Sequence, residues 1–413
     1  MRLKFALSRC WLLLLCLFIA PQVVAKKFKP YSQATTSEAD FHSEVRFDFA
    51  NGLPIVTVDI AGQPYRFLFD TAAVSTISPQ LAEQLKLEVK PLASVSAVDA
   101  GGQKQQITAT VVPKMRVGDI TILNAGMAVF DLRPANGLLS CLALDGIIGY
   151  NLIDLFAGIK LDYQRQILTL SSAAMSFPAS ATQLKMEVKP GMGAIARLHF
   201  SPEVKNVPVV LDTGKNLGFG LPVEVGIELN QKGLIKHRIY QLQTKERSAL
   251  FSESKNQEFL TRFDKVKLDS LPLDPVVINF SPGLPLLGNE FLRQYHVYLN
   301  WQQQTFALEP VAMLHLANEW KSFGIYPTFD AEQGLVIGKV LQNLNKTSAK
   351  LQLGDRILKI AEFDATKEPL KTVCFLSQNR YAKHKIEQLL LTLERDQQVF
   401  QVQLQRQRLF ADP

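Results

Sequence analysis

Between about residues 45 and 310, apolar positions come in short β-branched and aromatic runs, such as Leu53 to Ile60 and Tyr65 to Phe69, broken by Gly, Pro and Asn. Runs of this length and make-up, punctuated by turn residues, predict strands. Ser78-Pro79 ahead of LAEQL predicts one short helix, with a hydroxyl to cap it and a proline at its first position. Residues 26–44 are polar and without period, which predicts a flexible lead-in. Before them, Arg2, Lys4 and Arg9 form a basic start, Trp11 to Ala20 an apolar stretch and Val23-Val24-Ala25 a small-residue exit, the layout of a signal peptide over residues 1–25. An uncleaved anchor is the alternative, although Arg9 leaves the apolar run short for a span. Residues 311–320 predict a linker or short helix. A second β pattern then begins with SFGIYPTFDAEQGLVIGKVL (322–341) and closes as a hairpin, LLLTLERDQQVFQVQL (389–404).

The strand pattern repeats itself. FLFDTAA (67–73) matches VVLDTGK (209–215), placing Asp70 and Asp212 142 residues apart. An apolar pair and a glycine follow each: Ile147-Ile148-Gly149 lies 79 residues beyond Asp70, and Leu286-Leu287-Gly288 lies 76 beyond Asp212. RVGDITILNAGMAVF (116–130) resembles KLDSLPLDPVVINF (267–280), and LDYQRQILTL (161–170) aligns with LNWQQQTFAL (299–308). Four segments in the same order predict two duplicated lobes, over residues 45–175 and 176–310.

Composition narrows the chemistry. A chain of 413 residues has room for about two to four domains, and 47% hydrophobic with 20% charged residues is ordinary globular usage. The net charge of +7 falls to +4 without the leader, and no basic patch interleaved with aromatics remains, so nucleic acid is not an expected partner. Cys10 and Cys16 leave with the leader. Cys141 and Cys374 fall in different expected domains; an oxidising compartment permits a disulfide between them, but their spacing does not indicate one. No His/Cys spacing points to a metal, and no G-x-S-x-G, Walker A or H-E-x-x-H motif occurs.

What remains is a carboxylate pair. Lobes related by a pseudo-two-fold axis bring Asp70 and Asp212 together at their junction. Two close carboxylates cannot both ionise easily, so they share a proton. One then serves as general base on a water while the other, protonated, polarises a carbonyl. Small residues after each aspartate let the loops approach, and Thr71 and Thr213 are placed to hydrogen-bond across the junction. A lone Asp-Thr-Ala would more simply be an aspartate capping a turn; its register with Asp212 favours the pair.

On these residues the chain resembles the bacterial retropepsin-like aspartyl protease family, in its form with two fused lobes and a C-terminal PDZ domain. The resemblance rests on Asp70-Thr71, Asp212-Thr213-Gly214 and the two apolar-apolar-Gly elements, and covers residues 45 to 310. It implies a mainly β fold, with duplicated acid-protease barrel lobes followed by a PDZ-like β-sandwich with one or two helices. It implies Asp70 and Asp212 as catalytic residues, supported by Thr71, Ala72, Thr213, Gly214, Gly149 and Gly288. SVSAVDAGGQKQQITATV (94–111) takes the place of a flap with its tip at Ala100, Gly101 and Gly102. The implied activity is hydrolysis of extended polypeptide without a cofactor, in the periplasm, by a chain that needs no partner copy to complete the pair. The membrane enters only if the leader is uncleaved.

Two positions depart from the family pattern. Ala72 stands where the motif has glycine, and Lys215 follows the second tripeptide, where a positive charge acts on the shared proton. They leave open a second reading, a catalytically impaired peptide-binding or adaptor protein on the same fold. Within residues 321–408, Leu353-Gly354-Asp355-Arg356-Ile357-Leu358 resembles the Gly-Asp turn of PDZ domains. Ser322-Phe323-Gly324-Ile325 resembles their carboxylate-binding loop, implying capture of peptide C-termini at Phe323, Gly324 and Ile325. A scaffold that only braces the lobes is the plainer alternative.

Overall fold

The computed structural model describes residues 33–98, 104–132, 138–189, 191–244, 258–311, 320–330, 332–342, 344, 351–381 and 386–410. The leader, the flap tip at Ala100 to Gly102 and most of the 311–320 linker lie outside these residues.

The fold is mainly β and its two lobes follow one plan. In the first, His42–Ala50, Leu53–Ile60 and Gln63–Phe69 form a meander that ends at Asp70. Gln63–Phe69 then pairs in parallel with Gly146–Ile148, which is flanked in antiparallel by Thr76–Ile77. The second lobe repeats this around Asp212. Val207–Leu211 pairs in parallel with Leu286–Leu287, itself flanked in antiparallel by Phe219–Leu221. The expected helix is Pro79–Gln84, and Ser78 caps it by accepting a hydrogen bond from the Leu81 N–H at 3.2 Å. Its counterpart in lobe two, Val223–Gln231, lacks a side-chain cap, and so carried no comparable signal.

The two LDYQ- and LNWQ-type hairpins meet each other. Gly158–Asp162 and Ile167–Ser171 of lobe one lie beside Tyr295–Asn300 and Thr305–Pro310 of lobe two, with Ile159 opposite Leu299 and Leu161 opposite Val297. His42–Ala50 and Thr182–Lys185 extend the two sides, giving six antiparallel strands that join the lobes. The side chains of Leu161, Leu168, Val297, Leu299, Trp301 and Phe306 continue one core through this junction. The polar lead-in differs from its expectation. Thr35–Thr36 pairs with Ile122 and Leu123, the first-lobe strand starts at His42, and the Glu38 carboxylate accepts from the Thr121 N–H at 3.0 Å. Short side-chain caps order this stretch without any apolar period.

The C-terminal domain has its own core, built from Ile325–Asp330, Gly334–Leu341, Arg356–Ile360, the hairpin Gln388–Arg395/Gln398–Gln405 and the helix Pro369–Tyr381. It is fixed to both lobes. Gly334–Leu341 adds to the lobe-two strand Tyr240–Thr244, with Leu341 opposite Leu242 and Lys339 opposite Thr244. Beside this seam the Lys339 ammonium donates to both oxygens of Glu258 at 2.8 Å, and Glu258 is only 2% exposed. On the other side Cys374 of the helix forms a disulfide with Cys141 of lobe one, Cα–Cα 5.4 Å. Sequence spacing gave no indication of this bond, because only the fold brings residues 233 apart into contact.

Candidate active site

Asp70 and Asp212 meet at the lobe junction, 8% and 7% exposed. Each follows the last residue of its strand, and each N–H donates at 2.9 Å to the neighbouring apolar-apolar-Gly strand, Asp70 to Ile148 O and Asp212 to Leu287 O. Backbone pairing to the neighbouring strand thus fixes where each aspartate stands.

The threonines lock the two loops together. Thr71 Oγ1 donates to Leu211 O at 2.6 Å and accepts from the Thr213 N–H at 3.1 Å. Thr213 Oγ1 donates to Phe69 O at 2.7 Å and accepts from the Thr71 N–H at 3.1 Å. Each hydroxyl therefore satisfies one donor and one acceptor of the opposite lobe in a fully buried place, where an unmade bond is costly. Gly149 and Gly288 sit directly under the loops. A Cβ on Gly149 would stand 2.2 Å from Ala73 O, and one on Gly288 2.5 Å from Lys215 O, so only glycine permits the approach. In return the N–H groups of Tyr150 and Asn289 donate to those same carbonyls at 2.8 Å.

The carboxyl groups are not equivalent. Asp70 Oδ1 accepts from the N–H groups of Ala72 and Ala73, both at 2.9 Å, whereas Asp212 Oδ1 accepts from Gly214 at 2.8 Å. Burial raises both above the ordinary carboxylate range. For Asp212 the charge of Asp70 raises it further and Lys215 opposes, leaving it well above that range. For Asp70 the two N–H bonds and a hydrogen bond from Asp212 offset burial in part. Both carboxyls are thus held above the ordinary range, Asp212 the more strongly, and they are hydrogen-bonded to each other, with the Lys215 charge opposing the rise at Asp212.

Ala72 does not disturb this arrangement. Its N–H makes the bond to Asp70 that Gly214 makes to Asp212, and its methyl packs with Met192 against Ile195, Val210 and Leu286 of lobe two. The second glycine is obligatory: a Cβ on Gly214 would lie 2.0 Å from Asp70 Oδ2.

Three contributors carried no sequence signal of their own. Asn289, fully buried, donates through Nδ2 to Gly52 O at 2.9 Å and Thr213 O at 2.7 Å, and accepts from the Tyr163 hydroxyl at 2.7 Å. The turn at Asn51–Gly52 thereby crosses to the lobe-two loop. Gly193 reciprocates, standing against Thr71 O so closely that a Cβ would be 2.2 Å away. The position after each supporting glycine was the available clue to Asn289. Phe323, Gly324 and Ile325 belong to the C-terminal domain and take no part in the pair. Gly324 has φ +81°, its N–H donates to Ser322 Oγ at 3.0 Å, and its carbonyl accepts from Leu341. Among the described residues no group of three or more His, Cys, Asp or Glu side chains is arranged to hold a metal ion.

Comparison with known proteins agrees with the geometry. A family model described as aspartyl protease matches residues 56–152, which run from within Leu53–Ile60, across Asp70, to just past Gly149. The first lobe is thus similar to the aspartyl proteases, and through it the protein has protease-like character. Among curated proteins, none matches the chain.

Proposed function

We propose that the protein is an aspartic endopeptidase that hydrolyses extended polypeptide, with Asp70 and Asp212 as its catalytic pair. The observation that carries this reading is the pair of buried aspartates at the lobe junction, gripped by two threonine hydroxyls and hydrogen-bonded to each other. A water between the carboxyls gives its proton to Asp70 as its oxygen attacks the peptide carbonyl. Asp212 donates its own proton to the carbonyl oxygen, so the tetrahedral intermediate forms without a free charge. Collapse returns a proton to Asp212 and passes the other from Asp70 to the departing amine. The hairpin Lys90–Val98/Lys104–Val117 is read as the flap over this pair.

The C-terminal domain is read as a PDZ domain that binds peptide C-termini or regulates the lobes. Support comes from the Gly354-Asp355 turn, where Arg395 donates to both oxygens of buried Asp355 at 2.6 Å. Residues 1–25 are read as an export signal to the periplasm, in keeping with a cystine that oxidising compartments preserve. Purified protein is expected to cleave a denatured polypeptide, and Asp212→Asn to abolish cleavage while the variant still melts cooperatively. Undiminished cleavage by that variant would remove the pair from the mechanism.

A further inference from the structure

Lobe two contains a cavity apart from the aspartate pair. It encloses about 60 Å³ between Phe219, the stretch from Asp274 to Val277, the helix Asn289–Leu292 and Trp320. A water needs about 10–15 Å³ of such room, so the cavity has space for about four water-sized groups.

Its walls are aromatic. Phe219 and Phe291, both buried, lie 5.0 Å apart between ring centres, and Phe291 lies 5.2 Å from Tyr295. Trp320, just before the C-terminal domain, lines the same space. Its charged groups are acidic. The Glu290 carboxylate lies over Gly218, where a Cβ would stand 3.9 Å from Oε2, and Asp274 stands at the exposed rim. Burial raises the Tyr295 hydroxyl above its ordinary range and the charge of Asp274 raises it further, which puts that carboxylate near the ring. Gln294 also lines the cavity. Its Nε2 donates to Glu290 O at 3.1 Å, which leaves Oε1 as its acceptor. Among the described residues no Lys, Arg or His side chain lines the cavity, although the chain as a whole is basic at +7.

This combination suits an organic cation. Two carboxylates among apolar walls supply too few oxygens to replace the water shell of a hard metal ion. An aromatic face within about 6 Å attracts an ammonium through its quadrupole, and a carboxylate accepts the ammonium N–H groups in charge-assisted bonds. A primary ammonium on an aliphatic stem satisfies both, with Pro275, Val276 and Val277 beside the stem.

We propose that this cavity binds the ammonium end of an aliphatic primary amine, with Glu290 and Asp274 accepting its N–H groups and Phe291, Tyr295 and Trp320 around its charge. A free diamine and a lysine side chain of another polypeptide both present that group. The cavity is joined to the support of the active-site loop. Glu290 follows Asn289, whose Nδ2 holds Thr213 O, and the N–H groups of Asn289 and Glu290 donate to Lys215 O at 2.8 Å and Leu217 O at 3.4 Å. An occupied cavity therefore resists the opening of those two backbone bonds.

Calorimetry on the full chain compares 1,5-diaminopentane, a capped peptide with one central lysine, and 1-pentanol, which has the stem without the charge. The alcohol is expected to bind at least about tenfold more weakly than the amine, the least that losing a charge-assisted bond represents. Glu290→Gln and Asp274→Asn keep the size of each side chain and should each weaken amine binding about tenfold, with circular dichroism showing the wild-type fold. At an amine concentration of ten times Kd, hydrogen exchange of the Asn289 and Glu290 amides should slow about tenfold. Binding of the peptide assigns the site to lysine side chains, and binding of the diamine alone assigns it to free amines. Binding of neither, equal affinity for amine and alcohol, unchanged affinity in both variants, or unchanged exchange at those two amides would overturn the proposal. None of these readouts needs turnover, so they are independent of the outcome for Asp212→Asn.

Discussion

Exchanging the residues at the two unequal motif positions tests whether Ala72 hinders the aspartate pair. Ala72→Gly removes one half-buried methyl from contact with Met192, Ile195, Val210 and Leu286 but keeps the N–H that bonds Asp70 at 2.9 Å. Losing a buried methyl-sized group costs about 0.8 kcal/mol, and the greater freedom of glycine in the unfolded chain adds about 0.4–1 kcal/mol. The sum, about 1–2 kcal/mol, corresponds to a Tm lowered by roughly 2–8 °C. Because no hydrogen bond to the pair changes, kcat/KM should stay within about threefold of wild type, well under the 1.4 kcal/mol that a tenfold change represents. Gly214→Ala is the contrast. Its Cβ would lie 2.0 Å from Asp70 Oδ2, and a carboxylate pushed aside by about 1 Å loses on the order of 10²-fold in rate. Melting curves and hydrolysis of a quenched peptide by the three proteins supply both readouts. A tenfold gain in kcat/KM for Ala72→Gly would show that the methyl strains the pair, and the packing argument would be wrong.

Thr213→Val keeps the shape of the side chain but orphans the Phe69 carbonyl and the Thr71 N–H. At about 1–3 kcal/mol per orphaned buried group it should cost about 2–6 kcal/mol in urea unfolding. Thr213→Ser keeps both bonds and should cost about 1 kcal/mol, so equal midpoints for the two variants would contradict the grip. The pH–rate profile should be bell-shaped and displaced above the ordinary carboxylate range, because burial raises both carboxyls. Lys215 lowers the affinity of Asp212 for its proton, so Lys215→Met should move the alkaline limb to higher pH. A limb that stays in place or moves down would refute that role.

The repeat made the lobes legible in the sequence alone. Asp70, Asp212, both threonines and both supporting glycines share offsets in the chain because they share places in the fold, and duplication writes the same spacing twice. The equivalence of LDYQRQILTL and LNWQQQTFAL followed from the same signal, whereas their lying side by side did not. Contacts formed once left no such trace. Tyr240–Thr244 docks on Gly334–Leu341, and Cys141 bonds to Cys374, across long and unrelated stretches of chain. Asn289 shows the intermediate case, since its position was marked by Gly288 but its three partners come from both lobes. Tyr150–Ile153 and Asn289–Leu292 are helices of a single turn, too short to show a period.

The strand shared by lobe two and the C-terminal domain also bears on how the chain is made. Tyr240–Thr244 pairs with Glu258–Phe263 on one side and with residues 339–341 on the other. Until residue 341 leaves the ribosome, that second edge stays open, with Tyr240 and Leu242 beside it, and an open apolar edge recruits other strands. Lobe two therefore keeps one strand edge unpaired until the following domain docks on it. A chain cut before residue 341 exposes an adhesive edge that the whole protein never displays, so its aggregation would reveal a folding dependence before it revealed anything about catalysis.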